Sequence, residues 1–142
     1  MTRGPVFSFA LVACFVTGAR AEEGKGMDGV WIPDTAVMAG RPFPEAVRKT
    51  IRLEVKGDQY KVTIGKAVDR GTTKLDPAAK PKALDIVGSD GPNKGKTILA
   101  IYERDGDKLK VCYELGGKGR PKEFKSTEKS MLFLVEYRLV KE

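Results

Sequence analysis

The chain has 142 residues, with 26 Lys and Arg against 19 Asp and Glu, a net charge of +7 and no histidine. The missing imidazole removes the usual general base, the usual partner of a catalytic Ser or Cys and the commonest metal ligand. The lysine excess favours solubility and non-specific contact with anionic surfaces but names no partner.

Arg3, an apolar run over 6–16 and the small-x-small step Ala19-Arg20-Ala21 describe a secretory leader over residues 1–21, cleaved after Ala21. Such a run is too short to stay as a transmembrane helix. Leu11-Val12-Ala13-Cys14 offers a rival reading, a lipoprotein acylated at Cys14. Phe15 and Val16 carry the apolar run past that cysteine, which favours cleavage after Ala21. The mature chain is therefore expected outside the cytoplasm, periplasmic or secreted, with no transmembrane span. It keeps one cysteine, Cys112, so no internal disulfide is expected, and burial as an inert strand thiol is the usual fate of such a residue. About 120 residues remain, enough for one domain with one core.

Residues 22–28 read as a charged tether, leaving 29–142 as the domain. A first strand is expected over 30–37, then a helical turn over 44–49 opened by Pro44. Residues 50–56 set Ile51, Leu53 and Val55 on one face and Arg52, Glu54 and Lys56 on the other, a period of two. Gly57-Asp58 forms a Gly-first turn, as type II′ requires, into Tyr60, Val62 and Ile64. Further strands are expected over 68–75 and 82–87. Residues 97–113 hold two β-rich runs around Asp105-Gly106, a hairpin signal whose type I′ turn needs positive φ at both central positions. A last strand is expected over 131–140. About eight short strands with short links predict an all-β fold, an antiparallel up-and-down barrel.

Several motifs imitate chemistry. Gly91-Pro92-Asn93-Lys94-Gly95-Lys96-Thr97 is one residue short of a phosphate-binding loop, with Asp90 where the first Gly belongs and β-formers where a helix should begin. A basic turn between strands explains it better. Ser89, Ser126 and Ser130 have no nucleophile elbow around them, and Cys112 has no activating base. A single thiol and the lack of calcium-loop spacing give no metal site, so neither a catalytic residue nor a cofactor is assigned. Asp105 and Asp107 are ordinary turn residues. Asp85 shares a sheet face with Ala83 and Val87; inside, it would need a cationic or hydroxyl partner, and solvent is the commoner place for it. The cluster Lys118, Arg120, Lys122, Lys125 and Lys129 has only Phe124 beside it, whereas single-strand nucleic-acid grooves interleave several aromatics. It reads as a solvated loop, and no nucleic acid is expected as a partner.

The blocks Gly29-Val30-Trp31, Leu75-Asp76-Pro77, Lys80 through Ile86, Gly91 through Thr97, Ile101 through Asp107, Leu109 through Cys112 and Arg120 through Phe124 together resemble, in order, the signatures of the planctomycetal lipocalin-like domain family. The resemblance covers nearly the whole mature chain. It implies a small, usually extracytoplasmic lipocalin-like barrel in a family without an established biochemical activity. The Gly-x-Trp block is similar to the lipocalin signature, in which the Trp closes the barrel floor against an Arg from the last strand. By that resemblance Trp31 and Arg138 are a structural pair, joined by cation–π attraction. The chain is shorter than most true lipocalins and lacks their paired cysteines.

The expectation for function is a secreted, non-enzymatic, lipocalin-like module with a small apolar or amphipathic ligand inside the barrel. Parity puts Tyr60, Val62, Tyr102, Val111 and Phe133 forward as inward, ligand-facing residues. Binding predicts an apolar cavity of at least a few hundred Å³. The alternative is a ligand-free domain that engages a protein or envelope partner through basic rim loops around 88–96 and 115–129. An enzyme ranks third, since acid–base work would rest on carboxylates such as Asp85 or Glu123 and on lysines alone.

Overall fold

The computed structural model describes residues 26–141. The leader expected over 1–21 and residues 22–25 of the tether lie outside them. The elements are β1 (Gly29–Met38), β2 (Arg41–Pro42), α1 (Glu45–Arg48), β3 (Arg52–Lys56), β4 (Gln59–Ile64), β5 (Ala67–Asp76), β6 (Lys82–Asp90), β7 (Thr97–Asp105), β8 (Lys108–Glu114) and β9 (Leu132–Leu139). From β3 to β9 each strand pairs antiparallel with the next, and β1 pairs with both β3 and β9. Eight strands thus close into an up-and-down barrel, as the alternation predicts, and closure leaves no long open edge. The short β2 lies outside the ring, folded back on the end of β1.

Three links are two-residue turns, Gly57-Asp58, Gly65-Lys66 and Gly106-Asp107, each with its Gly at φ +61°. The last corrects the type I′ expectation. The ladder runs through Asp105, which pairs with Lys108, and among the two turn residues only Gly106 is left-handed. This register sets Arg104 opposite Leu109 on the inner face; a slip of one residue would turn the whole of β8 inside out.

β1 changes parity in mid-strand. Trp31 and Pro33 point inward and are fully buried, the register shifts between Pro33 and Thr35, and Ala36 is inward again. The extra residue, Asp34, faces out and holds Arg138 at 2.5 Å and Lys108 at 3.2 Å. A bulge at a proline is physically economical, because Pro33 has no N–H to give to a ladder.

The floor of the barrel lies at the end carrying the 57–58 and 106–107 turns. Trp31 fills it, its indole N–H donating to the Met27 carbonyl at 2.8 Å. Met27 is itself buried in the core, so ordered packing begins within the stretch expected to be tether. The guanidinium over the indole belongs to Arg104, 4.9 Å from the ring centre, and it also donates to the carbonyls of Gly26, Asp28 and Gly106. Arg138 does not take that place. Tyr137 occupies the inward position of β9, so its neighbour Arg138 faces outward, opposite Ile32.

A second apolar layer sits on the outer wall. Ala83, Ile101 and Cys112 face outward and yet are buried, because the 115–131 link runs across them. Arg120 pins that link, donating to the Leu84 and Ala100 carbonyls at 3.1 and 3.0 Å and pairing with Asp85 at 2.6 Å. The Cys112 thiol donates to the Lys125 carbonyl at 3.3 Å, and Lys110 lies over the Phe124 ring. The link expected to be solvated is thus a cladding for the wall, since two-sided apolar strands need cover on both faces. Cys112 is a free, buried strand thiol, and burial pushes its pKa up.

Candidate functional site

The floor half of the interior is packed by Trp31, Ala100, Tyr102, Leu109, Val111 and Val135. Toward the other end, where the 65–66, 91–96 and 115–131 links meet, the barrel keeps a cavity of about 200 Å³. Leu53 and Val55 line it from β3, Tyr60, Val62 and Ile64 from β4, Leu84 and Ile86 from β6, and Tyr113, Phe133 and Tyr137 from β8 and β9. These positions follow from period-two alternation in strands whose outward residues are mostly Lys, Arg, Glu and Thr. The volume is smaller than the few hundred Å³ expected. Phe43, delivered by the segment after β2, packs on Phe133 with ring centres 5.2 Å apart, and Phe133 stacks on Tyr113 at 5.6 Å, so aromatic rings occupy space at the mouth.

Of the five ligand-facing residues expected from parity, all lie on the inner face. Tyr60, Val62 and Phe133 line the cavity, whereas Tyr102 and Val111 are buried in the packed half below it. The sequence reading missed Asp69, the one charged residue of the lining among the described residues. Its Oδ2 accepts from the Tyr60 hydroxyl at 2.9 Å and from the Asn93 side-chain amide at 3.0 Å, and its Oδ1 accepts from the Asn93 backbone N–H at 3.1 Å. Gly71 makes this possible. It stands directly opposite Tyr60, and a Cβ there would come within 2.0 Å of the Val87 carbonyl and 2.7 Å of the tyrosine ring. The Tyr60 ring therefore lies over a bare stretch of β5 and reaches Asp69. A glycine in the middle of an expected strand was the signal available in the sequence, since it marks a close approach.

Asn93 comes from the loop that imitates a phosphate-binding motif. The loop closes as a basic turn between β6 and β7 and folds back so that Pro92 and Asn93 become part of the cavity wall. On the opposite wall the Tyr113 and Tyr137 hydroxyls meet at 2.8 Å. Burial pushes the Tyr113 pKa up to about 12. Burial, then the Tyr113 hydroxyl beside it, holds Tyr137 well above its ordinary value. Burial, then the hydrogen bond to Asp69, does the same to Tyr60. All three are neutral phenols at physiological pH, suited to hydrogen bonding and apolar contact.

Asp85 faces outward, in an outer cleft of about 660 Å³ with Lys74, Lys80 and Lys122, and its carboxylate is held by Arg120. Glu123 is exposed and pairs with Lys125 at 3.4 Å. Among the described residues no group of His, Cys, Asp and Glu is arranged to hold a metal ion, and no helix is long and apolar enough to cross a membrane. No protein-family model, curated protein or solved structure matches the chain.

Proposed function

We infer that this protein is a secreted, non-enzymatic carrier of lipocalin-like type, which takes a small apolar or amphipathic ligand into the open end of its barrel. The observation that carries this reading is the apolar cavity of about 200 Å³, walled by inward residues of seven of the eight ring strands, with Ile51, Pro92, Asn93 and Leu115 added from the links. A cavity of about 150 Å³ already accommodates benzene, so the volume suits a single ring with a short substituent. Trp31, with Arg104 over its ring, packs the floor end of the barrel below the cavity. The leader pattern over 1–21 and the resemblance of the sequence blocks to the planctomycetal lipocalin-like family support the reading of export and kinship, and the lack of histidine speaks against acid–base catalysis.

The test is a thermal-shift and calorimetric series with benzyl alcohol and indole on the wild type and on Val62→Trp, which fills the cavity. Binding raises the melting temperature of the wild type with ligand concentration, and the tryptophan variant loses the response. Equal behaviour of the two proteins would sink the carrier reading. A second reading, a module that engages a partner through its basic loops, draws on Lys66, Lys94 and Lys96 at the mouth, which stand in no ion pair among the described residues. It predicts a complex that dissociates between 0.05 and 0.5 M salt, roughly where the Debye length drops below 5 Å.

A further inference from the structure

The carrier reading leaves the chemical class of the ligand open, and the polar groups of the cavity narrow it. Among the described residues Asp69 is the one charged group in a lining that is otherwise apolar or aromatic, with Thr73 and Asn93 as its uncharged polar members. The three groups that hold Asp69 are all neutral donors, the Tyr60 hydroxyl and the two N–H groups of Asn93. They satisfy hydrogen-bonding capacity without cancelling the charge. A carboxylate offers about four acceptor positions. Oδ2 uses two and Oδ1 uses one, so Oδ1 retains a free acceptor position. Around the same space stand the rings of Tyr60, Tyr113 and Phe133. Aromatic faces attract cations, most strongly where water is excluded.

A carboxylate that keeps an acceptor position, in a cavity of about 200 Å³ lined otherwise by apolar and aromatic groups, is complementary to one kind of small molecule. We propose that the ligand is a small organic ammonium with an apolar body, its N–H donating to Asp69 Oδ1 and its body packed among Tyr60, Tyr113 and Phe133. The inference rests on the carrier reading and adds the sign of the ligand's charge. The lysines Lys66, Lys94 and Lys96 of the surrounding loops are exposed, and salt screens charges in solvent over about 8 Å at physiological strength. Asp69 acts in contact, where charge-assisted hydrogen bonds are strongest.

The experiment uses the isosteric pair benzylamine and benzyl alcohol, with the similarly sized anion benzoate, titrated calorimetrically at pH 7 and physiological salt. The proteins are the wild type, Asp69→Asn, Tyr60→Phe and Val62→Trp. The wild type is expected to bind benzylamine about ten-fold tighter than benzyl alcohol, and benzoate the weakest. Asp69→Asn brings amine and alcohol together. Tyr60→Phe removes one competing donor, keeps the charge and preserves or widens the preference, which covers the case in which the asparagine variant fails to fold. Equal binding of amine and alcohol to the wild type overturns the ammonium assignment while leaving the carrier reading in place. Binding of none of the probes, or binding that Val62→Trp does not reduce, overturns both.

Discussion

Replacing Arg104 with Met keeps most of the aliphatic stem and removes the guanidinium, which isolates what that group does at the barrel floor. The structure gives it four contacts: the Trp31 ring at 4.9 Å and the carbonyls of Gly106, Gly26 and Asp28 at 3.0, 3.3 and 3.2 Å. The cation–π contact contributes about 1 kcal/mol in a half-desolvated setting. The carbonyl bonds add roughly 0.5 kcal/mol each after discounting for partial exposure and their long geometry. The expected loss is therefore about 2–3 kcal/mol. Arg138→Met is the matched control. That residue makes an ion pair with Asp34 while half exposed, and such a pair contributes about 0–1 kcal/mol. Trp31 is the sole tryptophan and fully buried, so its fluorescence reports urea unfolding of the floor directly. Arg104→Met should lower the midpoint by about 1 M or more, and Arg138→Met by no more than a few tenths. Equal midpoints for the two variants, or a larger loss with Arg138→Met, would refute the assignment of Arg104 as the partner of Trp31.

Stability at alkaline pH follows from the tyrosines. Tyr113 is raised to about 12 and Tyr60 and Tyr137 are raised as well, so between pH 10 and 12 the folded chain holds protons that the unfolded chain has released. The contribution of these phenols should be level up to about pH 9 and fall from pH 10 upward; a flat profile from pH 9 to pH 12 in urea titrations would contradict the burial of these phenols. Arg120→Met should loosen the 115–131 link, cost about 2 kcal/mol, and speed labelling of the Cys112 thiol by a disulfide reagent about ten-fold or more. An unchanged labelling rate would mean that the link is held by something other than this arginine. Gly71→Ala, with its Cβ 2.0 Å from the Val87 carbonyl, should cost about 2–4 kcal/mol and displace Tyr60 from Asp69; the near-ultraviolet circular dichroism of the tyrosines reads the displacement, and a wild-type spectrum with wild-type stability would rule out the close approach.

The class of the fold was legible in the residues because alternation and Gly-containing turns are local properties. Thr50 through Ile64 shows both faces and the turn between them without reference to anything distant. Pro44 likewise marks the helical turn that follows it. Parity also brought Tyr60, Val62 and Phe133 to the inner face, since a strand between two turns has only two faces to offer.

Parity could not say how far up the barrel each inward residue stands, and so could not separate Tyr102 and Val111, in the packed half, from the three that line the cavity. The bulge at Asp34 is another such case: it reverses the alternation of β1 midway, and only the pairing with β9 reveals it. The resemblance gave Trp31 an arginine from the last strand, Arg138; the guanidinium over the indole comes instead from Arg104 of β7, because register turns Arg104 inward and Arg138 outward. The outer cladding was hidden because Arg120 and Asp85 are 35 residues apart in the chain and meet only once the 115–131 link has crossed the wall. Asp69 is the extreme instance. In the sequence it is a polar residue in a polar strand; the Tyr60 ring laid over Gly71, and the loop carrying Asn93 folded back onto it, make it the charged member of an apolar cavity. Local chemistry sets which residues form strands, and the closure of the ring sets which of them share a space.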